Sequence, residues 1–420
     1  MTSTDWQETT LADIAYINPI EKLPQGTVAK KIAMDLLSPF TKKITGFALE
    51  KYKGGMKFRN GDTLIARITP CLENGKTAYV DLLEEDEVGF GSTEFIVLRE
   101  KPEKSCKQFL YYFAISPDFR DVAMLSMTGS SGRQRVQSKV VEEHLFLLPP
   151  LPEQRAIADV LSSLDAKIDL LHRQNQTLEA LAETLFRQWF IEEANPDWEM
   201  VKLGEVIETT SGGTPSRNKP EFYENGTYPW VKSKELNGSL LLDTDEKITE
   251  DALKKSSAKL LPKHSILLAM YGATVAEYTL IMKPMTCNQA ICALLPNESY
   301  PYTFIFFYIK SLKDEIKGMA VGSAQQNISQ VLIKQLDIIS PSNRILQFHQ
   351  QVESYFTKMK ENQQQIQTLE RLRDALLPKL MAGSVRVGDL SPTLSLKGEG
   401  AEEETKNPLP SGRGQGEGIL

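Results

Sequence analysis

The chain has 420 residues, 41% hydrophobic and 25% charged, which is enough apolar material for two or three separate cores. No apolar run approaches the roughly 20 residues that span a bilayer, and the first residues lack the basic and apolar stretches of a secretory signal, so a cytoplasmic protein is expected. The net charge of −7 excludes a uniformly basic nucleic-acid coat, but DNA binding depends on local clusters of Lys and Arg and stays open.

Residues 1–150 contain short apolar runs broken by Gly, Asn, Asp and Pro, a pattern that predicts strands at Thr63–Ile68, Thr77–Leu82 and Phe95–Leu98. Helices are expected near Lys107–Ile115 and Ser138–Glu143. Pro149-Pro150-Leu151-Pro152 closes this unit, and proline in a first helical turn removes no hydrogen bond. A long helix then covers most of 151–195. Ile157, Leu161, Leu164, Ile168, Leu171, Asn175, Leu178, Ala182, Leu185 and Trp189 alternate by four and three, the spacing of a coiled-coil seam. About 40 helical residues would span about 60 Å, making this segment a spacer.

Residues 196–341 repeat the first style, with strands at Ser265–Met270 and Ala290–Leu294 and a helix near Phe304–Ile316. A second long helix over 342–383 places Phe348, Val352, Tyr355, Met359, Asn362, Ile366, Leu369, Arg373, Leu376 and Leu380 on its seam. Residues 384–420 are rich in Gly, Glu, Pro and Ser and are expected to be a disordered tail.

The halves repeat one another. Trp6 and Trp198, Ser131 and Ser323, and Pro149 and Pro341 are each separated by 192 positions. Two similar α+β units, each followed by a helix, give a pseudo-two-fold molecule with two equivalent working surfaces, which requires the two helices to run antiparallel. Matching the seams end to end makes facing residue numbers sum to about 537, so Asn175 faces Asn362. A buried Asn pair would set the register of the helices; the alternative is two half-exposed amides.

Signatures of catalysis are missing from the sequence. Gly75-Lys76-Thr77 ends like a phosphate-binding loop, but the glycine required five residues earlier is Pro70. The four histidines are scattered, and Cys71, Cys106, Cys287 and Cys292 lack metal-ligand spacing. Neither a catalytic nor a metal site is expected.

The stretch from Leu148-Pro-Pro-Leu-Pro-Glu-Gln-Arg to Ala166-Lys-Ile-Asp, with Leu178-Glu-Ala-Leu-Ala-Glu-Thr-Leu-Phe-Arg-Gln-Trp-Phe, resembles the central conserved region of type I restriction–modification DNA specificity subunits. Ser211-Gly-Gly-Thr-Pro-Ser216 with Tyr228-Pro-Trp230-Val resembles the opening of that family's second target recognition domain, and Gly322–Ile328 its close. The resemblance covers residues 5–383. It implies a non-catalytic subunit holding two target recognition domains (1–150 and 196–341) apart on antiparallel conserved helices (151–195 and 342–383). Each domain would read half of a bipartite site in double-stranded DNA. Two methyltransferase subunits and two restriction–translocation subunits would dock on the helices, and S-adenosylmethionine, ATP and Mg would belong to those partners. One departure is Ser342-Asn-Arg-Ile345, where the first copy has Pro150-Leu-Pro-Glu153, so the two helix starts differ.

Phosphates need cations or N–H groups, and base edges need Arg, Lys, Asn, Gln, Ser or Thr. In the first unit the candidates are Arg67, Thr69, Asn74 and Lys76 after a strand, and Arg133, Gln134 and Arg135 on a Gly-Ser loop. In the second they are Thr214, Ser216, Arg217, Lys232, Tyr271, Thr274, Gln325, Gln326 and Asn327. Solvated loops and ordinary turns are the alternative for the same residues. Phe186, Trp189 and Phe190 exceed what a two-helix seam buries, and serve either to dock a partner or to pack on the second unit. A coiled-coil scaffold binding only protein is the competing reading, and it predicts no clustered basic surface on either unit.

Overall fold

The computed structural model describes residues 5–320 and 327–390. Gln325, Gln326 and residues 391–420 lie outside it. The chain divides into two compact units, Met1–Ser163 with Leu376–Leu420, and Leu164–Ala375. These boundaries fall inside the long helices, so each helix contributes to both units.

In the first unit Thr10 caps the short helix Leu11–Ile14 through a capping box with Asp13. The strand before it, Gln7–Thr10, pairs antiparallel with Leu145–Leu148. An antiparallel sheet follows the order Ala15–Ile17, Phe95–Glu100, Thr63–Ala66, Thr77–Tyr79. All four residues of Thr63–Ala66 are buried, as suits a central strand covered on both faces. The helix Lys107–Ile115 buries Phe109 through Ala114 without interruption, so it is a core helix rather than an amphipathic one. A second sheet holds Ala48–Lys51, Val28–Ile32, Gly89–Gly91 and Lys57–Phe58.

The second unit repeats this order. Met200–Lys202 pairs antiparallel with Asp337–Ile339. The helices Leu203–Val206 and Gln330–Lys334 lie 192 positions after Leu11–Ile14 and Ser138–Glu142. Its main sheet runs Glu208–Ser211, Ile291–Leu295, Ile266–Ala269, Tyr278–Ile281, Leu240–Leu241, and again the middle strand is fully buried. The core helix expected over Phe304–Ile316 is two helices, Tyr302–Ser311 and Lys313–Gly318. At the break Ser311 Oγ donates to the Tyr308 carbonyl at 2.8 Å, a local bond that competes with the helical ladder.

The long helices are Leu151–Arg187, continued by a wider π-helical turn at Gln188–Glu192, and Asn343–Met381. Within the second unit they run antiparallel, because contacts descend along one as they ascend along the other. Arg373 Nη1 donates to Asp165 Oδ1 at 2.9 Å, Ile366 shares an apolar cluster with Ile168 and Leu171, and Asn362 Nδ2 donates to Asn175 Oδ1 at 2.9 Å. Asn362 is fully buried, and Asn175 Nδ2 turns to the Met359 carbonyl at 3.4 Å.

Residues 384–390, after the second long helix, are among those described. Val387–Asp389 forms a short helical turn, and the Arg386 guanidinium lies 5.2 Å from the Trp6 ring centre. Residues 384–390 therefore belong to the first unit: a cation can stack on an aromatic face whatever the surrounding Gly and Ser content.

Candidate nucleic-acid interface

In the first unit the two candidate loops meet. The Gln134 amide donates to Thr69 Oγ1 and the Thr69 amide to the Gln134 carbonyl, both at 3.0 Å. Two residues further on, the Val136 amide donates to the Arg67 carbonyl at 2.9 Å. Gly132 has φ +75°, a left-handed conformation that glycine adopts without steric cost and that folds the loop back towards Ile68. Thr69 is buried, whereas Asn74 and Arg133 are exposed. Lys76 is engaged elsewhere, donating from Nζ to the Met34 carbonyl at 2.9 Å.

Glu94 sits between the arginines, a residue that sequence reasoning did not select. Arg135 Nε donates to both of its oxygens at 3.0 Å, and Nη2 donates to Oε1 at 2.7 Å. Arg67 Nε approaches Oε2 at 3.9 Å. The hydrogen bonds from Arg135, and then the charges of Arg135 and Arg67, hold the Glu94 carboxyl below the usual range. No spacing signal could reveal the cluster, because its members come from three distant segments.

The second unit builds the same junction from different residues. The Ile328 amide donates to the Met270 carbonyl at 2.9 Å, as Val136 does to Arg67, and the Met270 amide to the Ala290 carbonyl at 2.8 Å, as Arg67 does to Glu94. Tyr271 bridges Asn327 just as Ile68 bridges Arg135. These bonds align Arg67 with Met270, Glu94 with Ala290 and Arg135 with Asn327. Tyr271 and Asn327 are exposed, and Thr274 Oγ1 donates to the Tyr271 carbonyl at 3.2 Å.

The remaining candidates come from the segment 214–232 of the second unit. Thr214 Oγ1 donates to Gln289 Oε1, next to Ala290, and Ser216 is exposed. Arg217 forms a two-pronged ion pair with Glu246 and lies over the rings of Tyr223 and Trp230, at 4.2 and 4.9 Å from their centres. Lys232 Nζ joins the same carboxylate at 2.8 Å. With hydrogen bonds from Arg217 first and Lys232 next, the Glu246 pKa is drawn down to about 2. Both cations are therefore held by an acid that sequence reasoning missed.

The aromatics at the end of the first long helix pack within the second unit. Phe186 is 4% exposed, with ring centres 5.7 Å from both Phe304 and Phe348. Phe190 lies 5.0 Å from Phe304, and Trp189 lies 6.3 Å from Phe348. Of the two uses open to these residues, packing on the second unit is the one observed, because the core helix Tyr302–Ser311 presents an aromatic face to them.

Two units presenting the same loop junction define a duplicated binding protein with two comparable surfaces. The chain belongs to the family of the type I restriction modification DNA specificity domain, which matches residues 3–180 and again 195–371. Its relatives include the HindI specificity subunit of Haemophilus influenzae, 24% identical across 91% of this chain and 100% of that one. The MjaIX specificity subunit of Methanocaldococcus jannaschii is 29% identical across 67% of this chain and 70% of that one. The crystal structure of the type I restriction–modification S subunit from M. genitalium shares the fold, with a TM-score of 0.56 at 19% identity over 90% of this chain and 96% of that one. The family's members are specificity subunits, non-catalytic components of restriction–modification enzymes. Among the described residues no helix is long and apolar enough to cross a membrane.

Proposed function

We propose that each unit reads one half of a bipartite double-stranded DNA target, so that this chain sets where a type I restriction–modification complex acts. The observation that carries this reading is the repeated junction: in both units the loop after the buried central strand bonds to the loop before a short helix, and both present exposed polar side chains. In the first unit the surface comprises Arg67, Arg133, Gln134 and Arg135, with the buried Thr69 bracing the loop from behind. In the second it comprises Tyr271, Thr274 and Asn327, with Thr214 and Ser216 as further candidates; Gln325 and Gln326 lie outside the described residues. Phosphate attraction supplies affinity, and the loop side chains supply sequence preference.

The long helices dock two methyltransferase subunits and two restriction–translocation subunits. S-adenosylmethionine, ATP and magnesium enter with those subunits, and this chain binds none of them. Mapping methylated adenines by single-molecule sequencing tests the assignment, in cells carrying the modification subunit with and without this chain. A split motif with a constant gap, seen only when the chain is present, is expected. An unchanged methylome despite an assembled complex would reject DNA reading in favour of a scaffold that binds only protein.

A further inference from the structure

We infer that Arg135, held side-on by Glu94, reads a guanine in the half-site bound by the first unit, and that Glu94 is the positioning residue of that contact. This rests on the DNA-reading assignment above and adds the base recognised and the pair that recognises it.

A guanidinium carries five N–H donors in a plane, on a side edge formed by Nε and Nη and an end edge formed by the two Nη atoms. Glu94 occupies the side edge of Arg135, through Nε at 3.0 Å and Nη2 at 2.7 Å. The end edge carries only a long contact, from Nη1 to the Arg133 carbonyl at 3.5 Å, and can donate two parallel hydrogen bonds, which is the geometry that matches O6 and N7 of guanine in the major groove. The Arg135 side chain is 44% exposed while Glu94 is 24% exposed, so the acid backs the arginine rather than covering it.

Arg217 shows the opposite arrangement. Its Nη1 and Nη2 both go to Glu246, so the end edge is consumed, and its guanidinium carbon lies over the rings of Tyr223 and Trp230. Arg217 therefore organises the second unit without reading a base. Nor can the second junction make a guanine contact of the Arg135 type. The positions of Arg67, Glu94 and Arg135 are taken there by Met270, Ala290 and Asn327, which carry no charge.

Charge agrees with the assignment. A lone carboxylate facing DNA would repel phosphate, but Glu94 stands with two arginines, so the cluster keeps one net positive charge. Fixing Arg135 before binding also removes rotamer freedom that recognition would otherwise have to quench.

The test is methylome mapping of the assembled complex carrying Arg135→Ala, Arg135→Lys or Glu94→Gln, alongside the unaltered chain. Arg135→Ala should relax one G·C position in one half of the motif by about five- to 150-fold, the discrimination of one bidentate arginine–guanine pair. The other half and the gap should stay unchanged. Arg135→Lys keeps the charge but lacks the fork and should relax the same position. Glu94→Gln should produce a smaller loss there, which a merely structural acid would not direct to a single base. If Arg135→Ala abolishes methylation altogether, Arg135→Lys decides the matter. Full guanine preference in the lysine variant, or a half-site that never contains a G·C pair at the affected position, would overturn the inference. Failure of the unaltered chain to impose any split motif would instead remove the DNA-reading assignment on which it rests.

Discussion

Arg386 and Glu153 form an ion pair in which the segment after the second long helix is tied to the first turn of the first long helix. Trp6 completes the clasp, donating from Nε1 to Glu153 Oε2 at 2.9 Å beneath the Arg386 guanidinium. The second unit carries a clasp with the charges exchanged: Arg344, in the first turn of the second long helix, pairs with Glu193 at 2.6 Å and lies 5.0 Å from the Trp189 ring centre. The departure of Ser342–Ile345 from Pro150–Glu153 is thus a reversal of sign, which makes each helix start complementary to a different segment.

Replacing Arg386 with alanine should lower stability by about 1.5–3 kcal/mol, the range for hydrogen bonds to charged groups, because it leaves a part-buried carboxylate with Trp6 alone. The exchange Glu153→Arg with Arg386→Glu should recover only part of this, since Trp6 Nε1 would then face a cation. Urea unfolding of the three proteins measures both, and an alanine variant as stable as the parent would show the clasp to be idle.

The Asn175–Asn362 bond should behave as a register device. Asn362→Leu leaves Asn175 Oδ1 without its donor and should cost about 1–3 kcal/mol. The double variant with leucine at both positions should be at least as stable as the parent, because two apolar side chains need no partner. Thermal unfolding of the single and double variants separates these outcomes; a double variant weaker than both singles would contradict the account.

Glu246 gives the second unit an acid sensitivity. Its folded pKa of about 2 lies below the ordinary 4.5, held there by Arg217 and Lys232. A depressed carboxylate pKa contributes stability that is complete above pH 4.5 and disappears as the pH falls towards about 2. The contribution is on the order of 3 kcal/mol at neutral pH. Glu246→Gln should therefore be less stable than the parent at pH 7, with the gap narrowing at pH 3. A constant gap across that range, measured by denaturant midpoints, would assign the effect to packing.

Phe186→Ala should cost about 3–5 kcal/mol, the price of a large cavity among Phe304, Phe307 and Phe348. The loss should appear in the isolated chain by calorimetry. A variant of normal stability that fails only to bind its methyltransferase partner would restore Phe186 to a docking role.

The sequence by itself determined the duplication, the α+β class and the two antiparallel helices. Their signals are local or periodic: the offset of 192, the apolar runs, and the alternation by four and three along each seam. It also pointed to the loops around Arg67, Arg135, Tyr271 and Asn327, since turn chemistry and basic side chains are visible residue by residue. Only the tertiary structure decided what those side chains do. Glu94 and Glu246 turn one arginine's fork outward and another's inward, through partners 41 and 29 positions away. Whether Phe186, Trp189 and Phe190 faced solvent or a core depended likewise on where Phe304 and Phe348 arrived. Ion pairs and ring packing between distant segments leave no period in the chain, because they depend on where folding places each side chain and not on its neighbours in sequence.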